Sequence, residues 1–423
     1  MRIKGLNNTA RILSRWAAFF IFGAIILFSG CARQFRRPSP EGLPSRVPPV
    51  RVALDDNLSS GTLSFEGKYE LKSEEATYIL DASSGEFGVS YSNQKLVFSS
   101  SQRWFSYTHF QSIDFIPADG GKFVWNGVPY SGEISFRKEN SRVAVVNVLP
   151  MTDYLKGVVP REIPSNSEDY KEAVKAQCIA ARTYALYHLE HPAAADYDVF
   201  ADSRDQVYMG LKGHSALSDE AVDKTLGTIL KEANGRIVET QFHSTCGGIL
   251  ELKDDYGNDN HTGIINDVSG DSVNCSASPL YRWVEPLSTR TILKNLVKAG
   301  KLSGEKAAAL AENGFEMSIQ VRSRLASGRI KQLLIKLNDH SILLNEWQMR
   351  VVLSGDKSRI LPSNLFFLKK SPRYTDRFYV IGAGFGHGRG MCQWGAIGQS
   401  LEGKNYKDIL SFYYPALKLG KIY

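Results

Sequence analysis

Three groups of residues in this 423-residue chain have types and spacings that can do chemistry. The first is a single carboxylate, Glu162, set between Pro160 and Pro164. Proline fixes its own φ and biases the preceding residue towards extended backbone, so this segment reads as a stiff loop that aims the acid. Packed among Val158, Val159 and Ile163, the carboxyl would have its pKa raised by desolvation, which suits proton transfer. The plain alternative is an acid that only favours the start of the following helix. The second group is His387 within Gly382, Gly384, Gly386, Gly388 and Gly390. Glycine at that density disfavours helix and strand interiors and predicts a loop of close backbone approach. A phosphate loop is excluded by the missing lysine and serine. The third group is the cysteines Cys178, Cys246, Cys275 and Cys392. Cys178 falls on an apolar stripe and reads as a small core residue. Cys392 lies five residues after His387, but nothing else supports a Cys-His protease pair.

These residues need elements to hold them. An apolar strand, Val143 to Leu149, leads into the Glu162 segment. A helix follows, with Ser165 and Glu168 as a capping box and Tyr170, Val174, Cys178, Ala181, Ala185 and Leu189 on one face. Residues 50–140 contain eight short strand-like runs, from Val50–Leu54 to Ile134–Phe136, broken by Gly, Ser and Asn. The fold class is therefore α+β: a small β-rich N-terminal module over 50–140, then a mixed α+β catalytic core over 141–423. A helical subregion near 287–315 carries Ile292, Leu293, Leu296 and Val297 on one stripe and stops at Gly300. Strands are expected at Met317–Val321, Gln332–Leu337 and Ser341–Leu344, and a short helix at Ser218–Leu226.

Residues 1–30 read as a signal segment. Arg2, Lys4, Arg11 and Arg15 precede an apolar run from Trp16 to Phe28, and Phe28-Ser-Gly-Cys31 resembles a lipoprotein cleavage box with Cys31 as the lipidated residue. An ordinary signal peptide and an uncleaved anchor are the alternatives, although thirteen apolar residues are short for a span. Residues 31–49 form an Arg/Pro-rich linker. Seven of the 51 basic residues precede residue 38 and no acid does, leaving 44 basic against 44 acidic residues. A neutral folded part argues against a nucleic-acid binder.

Five stretches together carry a family resemblance. They are Tyr154-Leu-Lys-Gly-Val-Val-Pro-Arg-Glu-Ile-Pro164, Ala176 to Ala185, Gln206-Val-Tyr-Met-Gly210, His243-Ser-Thr-Cys-Gly-Gly248 and Gly384 to Ala396. In this order they resemble the stage II sporulation protein D family, which includes peptidoglycan lytic transglycosylases and amidase enhancers. The resemblance covers roughly residues 140–420. It implies that Glu162 is the single acid and base that cleaves MurNAc-GlcNAc strands to 1,6-anhydro-muramic ends, where ordinary glycosidases need two carboxylates. A non-catalytic enhancer of a cell-wall amidase, or a glycan binder, is the alternative. The family often has Glu-Met-Pro where this chain has Glu162-Ile163-Pro164, an exchange that keeps the acid in place.

Further residues are candidates for substrate handling. Arg182 on the helix contacts substrate or forms an ion pair; Gln206 and Tyr208 meet a sugar or anchor a turn. Tyr281 and Trp283 flank Arg282 and suit N-acetyl sugars, or belong to the core. His387 orients Glu162 or a sugar hydroxyl, or is a satisfied structural histidine, and Tyr414 closes the groove by resemblance. No cofactor is expected. Zinc at His243, Cys246 and Cys275, with His261 as a further ligand, is implied by family members that bind metal near this region. A Cys246–Cys275 disulfide and free thiols remain open. Expected partners are glycan strands, a membrane reached through Cys31 and an amidase, with the protein exported and lipid-anchored to a membrane facing the cell wall.

Overall fold

Short alternating runs build the first part of the computed structural model, which describes residues 49–72, 77–118, 120–252, 264–355 and 360–422. The expected signal segment, the lipidated Cys31 and all of the linker but Pro49 lie outside the described residues, as does His261. Among the described residues twelve strands precede the first α-helix: β1 (Val50–Asp55), β2 (Ser60–Glu66), β3 (Tyr69–Lys72), β4 (Thr77–Leu80), β5 (Phe87–Ser92), β6 (Lys95–Ser99), β7 (Trp104–Tyr107), β8 (Ser112–Pro117), β9 (Lys122–Trp125), β10 (Val128–Ser131), β11 (Glu133–Glu139) and β12 (Arg142–Leu149). One sheet runs β10-β9-β2-β5-β6-β7; the other runs β13-β1-β12-β11-β8-β3-β4 and takes in β13 (Val199–Phe200) from later in the chain. Aromatic rings join the two faces. Phe65 lies 5.3 Å from Phe115, and Phe98 4.9 Å from Phe136. Such pairs add to the burial of the rings themselves.

The division expected at residue 140 falls on the turn of the β11–β12 hairpin, inside one sheet. β12 pairs with β1 on one side and β11 on the other, so the β-rich part and the part that holds Glu162 share a sheet and one apolar core.

The stiff loop expected before Pro164 is instead a helix, α1 (Met151–Glu162), with Pro160 in its last turn. An interior proline costs about 3 kcal/mol. Tyr154, Leu155, Val158 and Val159 are fully buried, and each contributes about 1.5–3 kcal/mol. Burial therefore overrides the local rule, and Glu162 ends the helix. The expected Ser165–Glu168 capping box does not form. Ser165 Oγ pairs with Ser215 Oγ at 2.9 Å, while Ser167 caps a short 3₁₀ turn ahead of α2 (Lys171–Glu190). α2 is the central helix: Val174, Cys178, Ala181 and Ala185 have no exposed surface.

Next come α3 (Ala216–Lys224) and the short strands β14 (Thr228–Lys231), β15 (Phe242–His243), β16 (Ile249–Glu251), β17 (Ile264–Asn266), β18 (Val268–Ser269) and β19 (Ser272–Val273). A second apolar core then forms from β20 (Arg282–Ser288), α4 (Thr289–Lys298), α5 (Gly304–Asn313), β21 (Met317–Arg324), β22 (Ile330–Leu337), β23 (His340–Leu344), α6 (Glu346–Val352), β24 (Phe366–Lys370) and β25 (Arg377–Ala383). The expected apolar stripe of α4 buries Ile292, Leu293 and Leu296 here. The chain returns through β26 (Met391–Cys392), α7 (Gln393–Leu401), α8 (Tyr406–Tyr413) and β27 (Lys418–Lys421), which pairs with β14. Among the described residues no helix is long and apolar enough to cross a membrane.

Candidate active site

Glu162 sits where three distant segments meet. It is half-buried at the end of α1; its Oε1 accepts the Val207 N–H at 3.0 Å and its Oε2 accepts the Gln393 side-chain amide at 3.2 Å. Burial raises its pKa, and the two hydrogen bonds partly oppose that rise. Both donors are neutral amides, and among the described residues no cation pairs with it. An acid held this way keeps its proton to higher pH than a free glutamate and can still ionise without losing its partners.

The Gln206-Val207-Tyr208 segment supplies one donor, through its backbone. Gln206 and Tyr208 point inward and are almost wholly buried. Gln206 accepts the Tyr154 hydroxyl at 3.1 Å and donates to the Ala181 carbonyl at 3.3 Å. Tyr208 donates to Asn147 Oδ1 at 2.8 Å, and its ring packs on Tyr130 and Tyr154. The sugar contacts weighed for this pair give way to an anchoring role, since all these polar atoms are spent inside the protein. Between these two anchored residues the Val207 N–H faces Glu162.

The second donor comes from the glycine loop. Gly384, Gly386, Gly388 and Gly390 all take positive φ, as the expected close-approach loop requires. At Gly388 a side chain would collide with the Arg329 guanidinium. Thr245 and Phe385 exchange backbone hydrogen bonds at 3.0 and 2.7 Å, and β15 pairs parallel to β26. This register delivers Gln393, at the start of α7, to Glu162. Neither Val207 nor Gln393 stands out by residue type; Gln393 was within reach of sequence only as part of the Gly384–Ala396 stretch.

Other expected contacts lie elsewhere. Arg182 is buried and donates to the carbonyls of Thr225, Thr228 and Val222 at 2.9–3.2 Å, closing the end of α3 rather than meeting substrate. His387 donates from Nε2 to the Phe242 carbonyl at 2.9 Å and accepts the Arg389 N–H on Nδ1 at 3.2 Å. Burial takes its pKa down to about 4, so it is a neutral structural histidine and does not orient Glu162. Tyr414 is buried, with its hydroxyl on the Gln241 carbonyl at 2.6 Å, and closes no groove. Tyr281 is half-buried under the Arg282 guanidinium, 3.7 Å from its ring centre, and Trp283 donates to the Gly384 carbonyl at 2.9 Å. A cavity of about 630 Å³ lined by Thr289, Phe315, Lys336, Lys370 and Asp376 belongs to the second core and excludes Glu162.

The cysteines regroup as well. Cys246 and Cys275 come together, their sulfurs 3.5 Å apart and unbonded, but His243 does not join them: its Nδ1 donates to the Arg389 carbonyl at 2.9 Å. Cys392 and Asp267 complete the group instead.

The segment that carries Glu162 also lies inside a matched family model. Residues 139–231 match the family model described as Stage II sporulation protein, and residues 239–390 match a domain of unknown function. An uncharacterised protein of Brachyspira hyodysenteriae is 33% identical over 315 residues, covering 72% of this chain and 75% of that one. The stage II sporulation protein D of Bacillus subtilis is 25% identical over 320 residues, 72% of this chain and 83% of the relative. The chain belongs to the stage II sporulation protein D family. The amidase enhancer of Bacillus subtilis is 28% identical over 297 residues; the match covers 63% of this chain and 40% of the enhancer. Within the family region, α1, α2 and the Gln206–Tyr208 segment all fall inside the first matched stretch, whereas Gln393 lies beyond the second.

Proposed function

We propose that this protein remodels the bacterial cell wall as a peptidoglycan lytic transglycosylase, with Glu162 as its single acid and base. The observation that carries this reading is the state of Glu162: a carboxyl at a helix end, raised in pKa by burial and held on both oxygens by amides. In the first step the protonated acid gives its proton to the glycosidic oxygen between MurNAc and GlcNAc, and that C–O bond breaks. In the second, the carboxylate takes the proton of the sugar's own C6 hydroxyl, whose oxygen closes the 1,6-anhydro ring. The enzyme ends as it began and no water is consumed, so one carboxylate suffices where hydrolysis uses two. Val207 N–H and the Gln393 amide hold the carboxylate in one orientation through both steps.

The test is digestion of purified glycan strands, with and without stem peptides, by the wild type and by Glu162→Gln. Anhydro-muramic products from the wild type, reduced about 10²–10⁴-fold in the variant, are expected. Hydrated reducing ends would overturn the transglycosylase reading.

A second reading is an enhancer of a cell-wall amidase. It is favoured by the similarity to the Bacillus subtilis amidase enhancer and by the burial of Arg182, Gln206, Tyr208 and Tyr414, which leaves these side chains no surface to offer a sugar. Glycan binding without products, with stimulation of an amidase, would support it. Both readings suit an exported protein, and the Phe28-Ser-Gly-Cys31 box supports the proposal that a lipid on Cys31 anchors it. Fatty-acid labelling that disappears in Cys31→Ala is the expected result.

A further inference from the structure

At the N-terminus of α7, four side chains from four separate segments converge. The sulfurs of Cys246, Cys275 and Cys392 and a carboxylate oxygen of Asp267 all lie within 4.8 Å of one another, and all four residues are buried. We propose that these residues form a closed, four-ligand zinc site of three thiolates and one carboxylate that locks the N-terminus of α7.

The spacing fits the ion. A tetrahedron of Zn–S bonds of about 2.3 Å sets its corners roughly 3.8 Å apart. Cys246 and Cys275 are at 3.5 Å, and Cys246 Sγ is 2.9 Å from Asp267 Oδ2. Thiolate-rich, closed, four-coordinate sites select zinc over the hard cations magnesium and calcium.

The surroundings fit anionic ligands. Cys392 Sγ accepts the backbone N–H groups of Cys246 and Gly395 at 3.2 and 3.3 Å, and Cys246 Sγ accepts that of Gly248 at 3.2 Å. Gly247 and Gly248, at φ 79° and 101°, fold the backbone back onto the sulfur, a turn that side chains resist. Asp267 is aimed by its other oxygen, which accepts the Tyr413 hydroxyl at 2.7 Å and the Asn274 amide at 3.0 Å. Ligands oriented in this way by a second layer of hydrogen bonds are typical of metal sites.

Charge points the same way. A dication on three thiolates and a carboxylate leaves a net charge of −2. The fully buried Arg329 donates to the Cys246 carbonyl at 2.7 Å, while its Nε and Nη1 find no acceptor among the described residues. A buried guanidinium short of partners is costly unless a nearby negative group offsets it. An odd number of thiols fits a disulfide poorly: pairing any two would leave the third unpaired beside the buried Asp267 carboxylate.

All four positions are filled by protein, so the ion is structural and adds no Lewis acid to the chemistry. Its effect passes along the chain: Cys392 caps α7, and the next residue, Gln393, holds Glu162. The zinc site itself does not depend on the transglycosylase reading, because its test is metal content.

Elemental analysis and native mass spectrometry of the full-length chain purified without chelator are expected to find about one zinc per chain. Cys392→Ser and Cys275→Ser should lose it and Cys178→Ser should keep it. Replacing zinc by cobalt in the wild type should give sulfur-to-cobalt charge transfer and the intense visible bands of a tetrahedral ion, a readout that survives if the serine variants misfold. Stripping the ion should lower the melting temperature and expose three further thiols. A wild-type chain that stays metal-free after exposure to zinc, or peptide mapping that finds a Cys246–Cys275 disulfide, would overturn the proposal.

Discussion

At the residue scale, the environment of Glu162 makes opposite demands on function and stability. Its pKa is raised in the folded protein, so the stability it contributes is full below the ordinary glutamate range and is lost as pH rises through the folded value. Glu162→Gln should therefore melt at a higher temperature than the wild type at neutral and alkaline pH, with the difference vanishing in acid; thermal scans across pH check this. Gln393 stabilises the ionised form, so Gln393→Leu should raise the pKa further and move the alkaline fall in glycan cleavage to higher pH. A pH profile unchanged by that substitution would mean the amide does not act on the acid. Glu162 was legible in sequence because a carboxylate beside two prolines and several aliphatics is already unusual. Gln393 was not, because an amide 231 residues away gains its meaning only from folding.

At the scale of elements, the candidate site rests on side chains buried inside the protein. Tyr208 holds the backbone that feeds Val207 to the acid, and its hydroxyl satisfies Asn147 of β12, which in turn donates to Ser131 and Glu133 carbonyls. Tyr208→Phe leaves a buried acceptor without its partner and should cost about 1–3 kcal/mol. Turnover should fall more than substrate affinity. Arg182→Met removes the donor for the carbonyls at the end of α3 and should destabilise by about 2–5 kcal/mol, read as a lower denaturation midpoint. Sequence periodicity found α2, α4 and most strands, since their faces repeat. It read α1 as a loop because the local cost of Pro160 is visible in sequence, whereas the burial that outweighs it is not.

At the scale of the whole molecule, the β-sandwich and the Glu162 region stand or fall together. β12 is flanked by β1 and β11, so a chain starting at residue 141 loses both neighbours of its central strand and exposes Val143 and Val145. That truncation should fail to give soluble, protease-resistant protein, whereas a separable module would leave a folded remainder; limited proteolysis decides between them. The eight N-terminal runs were legible as strands, but the strand that pairs with the first and last of them, β12, lay across the expected boundary, and pairing partners cannot be read from a strand's own alternation. The distance in sequence between Glu162 and Gln393 also sets an order of events in time. A chain that emerges N-terminus first presents its acid while more than half its length is still to come. Until α7 arrives and docks, Glu162 has only one of its two holds. A protein wired in this way completes its candidate site only when nearly the entire chain has been delivered, so unfinished or broken copies cannot assemble both holds on the acid.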